Sequence, residues 1–236
     1  MSFLKAEWRK LAIANYAVNP SILEPHLPFG TELDLWEGQC FVSLVGFRFI
    51  NTKILGIKIP FHTNFEEVNL RFYVKRLENN EWKRGVVFIK EIVPRHAITL
   101  VANTIYKEHY ETMRMDHLWG ENDLSRIVQY KWKKNKKWHS IHIEASLESI
   151  PLVAKSETEF ITEHYWGYAR VSASKTNEYE VTHPRWNTYE VNNSSIDVDF
   201  GAVYGEEFSS LNDMQPTSVM LAEGSEITVE KNRTII

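Results

Sequence analysis

The sequence has few of the residues that form covalent or metal-linked structures. One of its 236 residues is a cysteine, Cys40, so an internal disulfide and a site with several thiolate ligands are excluded. No apolar run reaches the roughly 18 residues that a membrane-spanning helix requires. Residues 1–10 mix charged and apolar side chains and lack the continuous apolar stretch of a secretory signal. These absences predict a cytoplasmic protein without a membrane span.

Motifs for common catalytic and cofactor sites are also missing. The chain has no nucleophile elbow, phosphate-binding loop or dinucleotide-binding glycine motif. Its nine histidines do not follow the spacing of a metal-binding helix. His139 and His142 are three residues apart on a predicted strand and therefore point to opposite faces. We predict neither a metal ion nor a cofactor.

The charge balance argues against nucleic acid or an anionic membrane as a partner. The chain has 31 acidic and 27 basic residues, a net charge of -4. Only residues 130–139, with five lysines among three aromatic residues, have the composition of a nucleic-acid-binding surface. Lysines also occur at solvated hairpin tips, where they oppose aggregation. We favour the hairpin, and we expect neither nucleic acid nor a membrane as partner.

What the sequence does contain is a series of strand patterns in a chain that is 43% hydrophobic and 13% aromatic. Apolar runs separated by polar turns predict strands at residues 41–49, 64–76, 85–93, 126–134, 136–147, 168–174, 178–182 and 227–231. Capping residues and periodicity predict short helices at residues 19–25, 95–107, 156–165 and 202–211. Strands joined by short turns favour one β-rich α+β domain over residues 1–236. The predicted architecture is a closed or nearly closed, mainly antiparallel barrel with flanking helices.

Residues 65–74 carry the first candidate site. In a strand, Glu67, Asn69, Arg71 and Tyr73 share one face, and the residues between them form an apolar face. On an outer strand such a polar row meets water. In a barrel it lines a cavity and places an arginine that binds anions beside a carboxamide and a phenol. The pattern leaves both interpretations open, and we predict that Arg71 reaches a cavity.

Residues 86–93 are apolar on both faces except for Lys90 and Glu91. Regular alternation places Lys90 on the face of Phe88 and Ile92, and Glu91 on the opposite face. We predict that Lys90 is at least half buried and paired with a carboxylate. Burial favours the neutral amine that forms Schiff bases, because it lowers the pKa of a lysine. A purely structural ion pair is the alternative.

Five segments taken together resemble one known family. They are residues 65–74, 88–95, 162–168, 183–186 and 221–225. In this order and spacing they resemble the YqjF-like family of uncharacterised bacterial proteins, which is grouped with the acetoacetate decarboxylase-like folds. The resemblance extends from Pro20 to Ser225 and implies a cone-shaped β-barrel with an internal cavity.

The resemblance leaves two functions open, because the YqjF-like family has no settled reaction. Decarboxylases of this fold use a lysine that forms an imine with a β-keto acid, and an adjacent second lysine lowers its pKa. Here the neighbour of Lys90 is Glu91, so that lysine pair is absent. A lysine amine that faces a closed cavity would distinguish an enzyme from a binding protein.

We predict first a protein that binds a small carboxylate or aromatic molecule in the barrel. The candidate ligand-binding residues are Asn69, Arg71, Tyr73, Trp166 and Trp186. The alternative is a decarboxylase, aldolase or hydrolyase that acts on a β-keto acid or a related carbonyl compound. Its candidate catalytic residues are Lys90 as nucleophile and Glu66, Glu67 or Glu91 as acid or base. The expected partner is a small-molecule ligand, and a homo-oligomer is left open.

Overall fold

The computed structural model describes residues 2–236 and is dominated by long strands. The strands are β1 (Leu4–Val18), β2 (Glu32–Leu33), β3 (Cys40–Ile54), β4 (Phe65–Glu78), β5 (Glu81–Val93), β6 (Tyr110–Thr112), β7 (Arg114–Glu121), β8 (Arg126–Lys134), β9 (Lys137–Ile150), β10 (Trp166–Ser172), β11 (Lys175–Thr182), β12 (Thr188–Asp197), β13 (Ser218–Val229) and β14 (Arg233–Ile235). The α-helices are α1 (Pro20–Leu23), α2 (His96–Ile105), α3 (Glu157–Thr162) and α4 (Phe200–Tyr204), and 3-10 helices cover Glu24–His26 and Glu206–Asp213. In the described part of the chain, no helix has both the length and the apolar character needed to cross a membrane.

Seven strands form a ring in the order β11, β10, β5, β4, β3, β1 and β13. Two residue pairs between β11 and β13, Val181 with Val229 and Thr182 with Thr228, close it. All neighbours in the ring are antiparallel except β10 and β5, which run parallel over a short stretch. The ring confirms the predicted fold class, a mainly antiparallel and nearly closed barrel.

A second layer of strands covers the outside of the ring. Strands β12, β9, β8 and β7 continue the sheet from β13, and their apolar side chains share a core with the outer faces of β1, β3 and β4. Tyr130 and Trp132, two aromatic residues of the lysine-rich hairpin, are fully buried in this core. They pack the two layers together and are not exposed for stacking on bases.

Strand β1 was not predicted, and its burial explains why. Every residue from Leu11 to Tyr16 is buried, so this half of the strand has no alternation between polar and apolar residues. Lys10 adopts a positive φ of 55°, at a bulge that shifts the register of β1 against β3. The two features together remove the periodic signal of a strand.

The facing of side chains on β5 differs from the prediction. Leu70 pairs with Lys90, but the next residue, Arg71, pairs with Phe88, so Ile89 is an extra residue in β5. This bulge places Phe88 and Glu91 on the same, inner face. The prediction that Lys90 shares a face with Phe88 was therefore wrong, because it assumed uninterrupted alternation.

Candidate functional site

A cavity of about 190 Å³ lies inside the ring. Aromatic side chains form much of its wall, namely Trp8, Phe47, Phe49, Phe65, Phe88 and Trp186. Helix α2 contributes a further apolar part of the wall through Ala97, Ile98, Val101 and Ala102. The few polar groups in this lining are therefore the candidates for recognition of a ligand.

The predicted polar row on β4 faces this cavity. Glu67, Asn69 and Arg71 are all buried and all line it. The Nδ2 group of Asn69 donates a hydrogen bond of 3.1 Å to Oε1 of Glu67. Tyr73 shares this face, but its hydroxyl group is hydrogen-bonded to the Ser43 hydroxyl group at 2.8 Å, and it is not part of the cavity wall. Arg71 thus reaches a cavity, as predicted, and its role as the anion anchor stays a prediction.

Arg71 has few partners for a buried cation. It is 8% exposed, its Nη2 group donates to the carbonyl oxygen of Ile161 at 3.3 Å, and its Nε group has no hydrogen-bond partner. Among residues 2–236, no carboxylate oxygen lies within the 4.0 Å of an ion pair with Arg71. A buried guanidinium group without a counterion is costly, and its planar fork of donors fits a carboxylate.

Three buried glutamates, Glu67, Glu91 and Glu108, form an acidic cluster in the same cavity. Tyr110 donates a hydrogen bond to Oε2 of Glu67 at 3.1 Å, and Tyr179 donates to Oε1 of Glu108 at 2.7 Å. The Oε2 atom of Glu91 has no hydrogen-bond partner within residues 2–236. The cluster therefore has more acceptors than the surrounding protein satisfies.

Burial keeps protons on the acidic cluster. It raises the pKa of Glu67 and that of Glu108 to about 7 each. It also raises the pKa of Glu91 well above its usual range, and repulsion from Glu108 and Glu67 adds to this effect. Carboxyl groups of this kind can exchange protons near neutral pH. No group of three or more His, Cys, Asp or Glu side chains in residues 2–236 is arranged to hold a metal ion.

Two glycines allow the strands that carry this cluster to approach closely. Gly167 on β10 pairs with Tyr179 on β11, and a Cβ atom at residue 167 would lie 2.2 Å from the Tyr179 ring. A Cβ atom at Gly85 on β5 would lie 2.4 Å from the carbonyl oxygen of Trp166. Glycine at these positions thus lets Tyr179 lie across β10 and reach Glu108.

His164 and Asp34 form a buried pair at the side of the cavity. Nε2 of His164 is 3.1 Å from Oδ2 of Asp34, which also accepts a 2.6 Å hydrogen bond from Nε of Arg84. Burial lowers the pKa of His164 to about 4, so this histidine is neutral at physiological pH. The pair fixes the imidazole ring, which lines the cavity.

Two candidate catalytic residues lie on the outer face of the ring. The Nζ group of Lys90 donates to the carbonyl oxygen of Val203 at 2.5 Å and pairs with Oε2 of Glu111 at 2.9 Å. Its side chain is 24% exposed, so the predicted burial and pairing are confirmed. Glu66 is bonded to Nδ1 of His117 at 2.5 Å. Neither residue lines the cavity, whereas Glu91 does.

The two predicted tryptophans both line the cavity. Nε1 of Trp186 donates to the Ser225 hydroxyl group at 2.9 Å, and its ring stacks on His183 with centroids 4.0 Å apart. The Lys83 ammonium group lies 3.9 Å from the ring centroid of Trp166, which holds that indole in place. The structure thus brings Asn69, Arg71, Trp166, Trp186 and Glu91 together around one space.

Sequence reasoning missed several polar residues of the cavity. Among them are Glu108, Tyr110, His164 and Tyr179. Glu108 lies in the irregular stretch between α2 and β6, and Tyr110 begins β6, a strand of three residues that is too short to show a periodic pattern. His164 lies in a segment that contributed to the family resemblance, and that segment was its only signal.

The ring of strands also occurs in solved structures of acetoacetate decarboxylase-like enzymes. Acetoacetate decarboxylase from Legionella pneumophila subsp. pneumophila str. Philadelphia 1 is similar with a TM-score of 0.70 and 14% identity, over 99% of this chain and 87% of that protein. The enduracididine biosynthesis enzyme MppR, complexed with pyruvate, is similar with a TM-score of 0.68 and 10% identity, over 99% of this chain and 91% of that protein. These likenesses define the class, a protein with the acetoacetate decarboxylase-like fold.

Sequence comparison places the chain more narrowly. The uncharacterized protein YqjF of Bacillus subtilis (strain 168) is 27% identical over 165 residues, which are 69% of this chain and 65% of YqjF. The match thus spans slightly less than two thirds of the length of that relative. The family model of DUF2071, an uncharacterized conserved protein, matches residues 5–226, and the chain belongs to this family. The predicted resemblance is confirmed.

Proposed function

We propose that this protein binds a small molecule through a carboxylate group inside the cavity, with Arg71 as the anchor. The observation that carries the proposal is a buried guanidinium group in an apolar cavity, without a carboxylate partner in residues 2–236. A ligand carboxylate would supply the missing counterion in a bidentate contact. The pyruvate complex of MppR supports the proposal, because a protein of the same fold binds a small carboxylate.

The other candidate residues have supporting roles in this proposal. Asn69 lies beside Arg71 in the row on β4, and its Oδ1 atom has no hydrogen-bond partner among the described residues. Trp166 and Trp186 supply apolar surface for the body of the ligand. Tyr73 has its ring centroid 5.7 Å from the guanidinium carbon of Arg71 and orients it. The proposal covers residues 1–236 as one cytoplasmic domain and leaves its oligomeric state open.

The test is ligand binding by wild type and by Arg71→Gln. Pyruvate, hexanoate and phenylacetate serve as probes, and isothermal titration and thermal shift measure binding. We expect at least one of them to bind the wild type, and Arg71→Gln to weaken that binding about 10- to 100-fold, because a hydrogen bond to a charged group is worth roughly 1.5–3 kcal/mol. Arg71→Lys keeps the charge but loses the planar fork of donors. Its affinity for the probe should therefore lie between those of wild type and Arg71→Gln.

The matched control is Arg185→Gln, because the side chain of Arg185 is 59% exposed and does not line the cavity. This variant should bind the same probes as tightly as wild type. Circular dichroism confirms that each variant is folded. Equal affinity of folded Arg71→Gln and wild type for every probe would refute Arg71 as the anchor.

The Schiff-base alternative makes a different prediction. No lysine is among the described residues that line the cavity, and the Lys90 amine is engaged on the outer face. Borohydride reduction in the presence of pyruvate or acetoacetate should therefore leave Lys90 unmodified, as measured by intact mass and peptide mapping. A reduced adduct on Lys90 would restore the enzyme hypothesis.

A further inference from the structure

We infer that the ligand of this cavity is zwitterionic, with a carboxylate group that binds Arg71 and an ammonium group that binds Glu91. The inference rests on the proposed function and adds the second polar contact of the ligand. It follows from the presence of one unpaired cationic and one unpaired acidic group in the same cavity. It also follows from what the acidic cluster lacks.

The unpaired positive and negative groups of the cavity lie on neighbouring strands. Asn69 on β4 pairs with Glu91 on β5, so Glu91 lies across from the residue between Glu67 and Arg71. Arg71 and Glu91 are both buried and both line the cavity, and each has a polar atom without a hydrogen-bond partner among residues 2–236. The cavity thus holds one cationic and one acidic group that the protein itself does not pair.

The acidic cluster has no cationic partner among the described residues. Within residues 2–236, no Lys or Arg nitrogen lies within 4.0 Å of a carboxylate oxygen of Glu67, Glu91 or Glu108. The protein supplies neutral donors instead, the hydroxyl groups of Tyr110 and Tyr179. Glu91 is 2% exposed and its Oε2 atom is unpartnered, and the hydroxyl group of Tyr110, which also lies beside Glu91, donates its single proton to Glu67. Of the acidic groups in the cavity, Glu91 receives the fewest ion pairs and hydrogen bonds from the rest of the protein.

A simple carboxylate ligand would pair with only one of these two groups. It would neutralise Arg71 and leave Glu91 buried without a partner. An ammonium group on the same ligand would supply a cation and hydrogen-bond donors to Glu91. A small amino acid derivative carries both groups on one short carbon chain.

Binding of the ammonium group should depend on pH in a defined direction. The carboxyl groups that face one another here are Glu67 from β4, Glu91 from β5 and Glu108 from the segment before β6, with the phenols of Tyr110 and Tyr179. Because burial raises the pKa values of the three carboxyl groups, the ammonium group must displace a proton at neutral pH. Its contribution therefore grows as the pH rises, while the ligand amine, with a pKa of about 10, stays charged.

The test compares ligands that share one carbon chain. All three ligands carry the same carboxylate. Hexanoate has no amine, 2-aminohexanoate has its amine next to the carboxylate, and 6-aminohexanoate has its amine at the far end of the chain. We expect one of the two amino acids to bind wild type at least tenfold more tightly than hexanoate at pH 8. We also expect a smaller ratio at pH 6. Calorimetry in buffers of different ionisation enthalpy should show proton release for that amino acid and none for hexanoate.

The matched variants are Glu91→Gln and, in case that protein does not fold, Glu108→Gln. Glu91→Gln should reduce the preference for the amino acid to less than threefold and leave hexanoate affinity within about twofold of wild type. If wild type binds neither amino acid more tightly than hexanoate, the inference of a zwitterionic ligand is overturned. An unchanged preference in folded Glu91→Gln would overturn the role of Glu91.

The two proposals fail in different ways. Hexanoate binding that is lost in Arg71→Gln, without any gain from an amine, retains the carboxylate anchor and rejects the ammonium contact. Hexanoate binding that does not depend on Arg71 rejects the proposed function itself. The Arg71→Gln titration with hexanoate is therefore carried out first.

Discussion

Two groups of buried carboxylates in this protein have opposite surroundings. Glu178 on β11 is fully buried, and its oxygens lie within 3.3 Å of cationic nitrogens of Arg76, Lys83 and Arg233. Together with Glu78 these residues form a salt-bridge cluster where β4, β5, β11 and β14 meet. Glu91 is buried to nearly the same degree but has no cation within 4.0 Å in the described residues.

The difference separates a structural role from the proposed binding role. The salt-bridge cluster satisfies its own charges, so its carboxylates hold the strands together and offer nothing to a ligand. The acidic cluster keeps its charge low by retaining protons, and it has an unpartnered oxygen. Buried charge that the fold leaves uncompensated lowers stability, and it is a common property of functional sites.

The largest expected effect on stability comes from removing the carboxylate at the centre of the salt-bridge cluster. Glu178→Gln removes the buried one of the two carboxylates that Arg76, Lys83 and Arg233 share, so that only the more exposed Glu78 still neutralises the three cations. We expect a loss of about 3 kcal/mol in the free energy of unfolding, near the low end for a broken buried pair, because the cations are partly solvated. Urea denaturation at pH 7 measures it. A change below 1 kcal/mol would show that the cluster is not structural.

The same substitution in the acidic cluster should have the opposite sign. Below pH 4.5, the usual pKa of this side chain, Glu91 is protonated in both the folded and the unfolded state. As the pH rises, the unfolded state ionises first, because the folded-state pKa is raised, and wild type loses stability. Glu91→Gln lacks this loss, so its free energy of unfolding should exceed that of wild type by about 2 kcal/mol at pH 8.

Urea denaturation of both proteins at pH 4.5, 6, 7 and 8 measures this difference. The difference should be near zero at pH 4.5 and grow at each step. Glu178→Gln, measured in parallel, should show no such gain. If the difference in free energy of unfolding between Glu91→Gln and wild type is constant over this pH range, the raised pKa of Glu91 is contradicted.

The smallest effect is expected at the edge of the salt-bridge cluster. The side chain of Arg233 is 54% exposed, and Arg76 and Lys83 remain beside Glu178 when it is removed. Arg233→Ala should therefore cost about 0.5 kcal/mol, as for other solvent-exposed ion pairs. Denaturation at low and high salt checks this. A loss as large as that of Glu178→Gln would show that the three cations do not share the carboxylate.

The row on β4 could be predicted from the sequence because that strand keeps its alternation of faces. Glu67, Asn69 and Arg71 follow a period of two without interruption, so their common face needed no knowledge of the neighbouring strands. The barrel could be predicted for a similar reason, since its strands are long and several are joined by short polar turns. The ligand-binding roles of these residues stay predictions.

The rest of the site depends on information that a local pattern does not contain. The bulge at Ile89 reverses the facing of Lys90 and Glu91 relative to Phe88, and only the register against β4 reveals it. Glu108 and Tyr179 are 71 residues apart in the chain and meet because Gly167 leaves room between β10 and β11. Contacts of this kind are set by the closure of the ring.

Helix α2 gives the cavity a wall that differs from the strands in how it is packed. None of its ten residues is buried, although four of them line the cavity, whereas the ring strands are held by continuous backbone pairing. Opening of α2 should therefore require much less free energy than opening of the ring, and its amide hydrogens should exchange faster. The time that a ligand stays bound would then be governed by the opening of this helix. The affinity of the ligand would be governed by Arg71 and the acidic cluster.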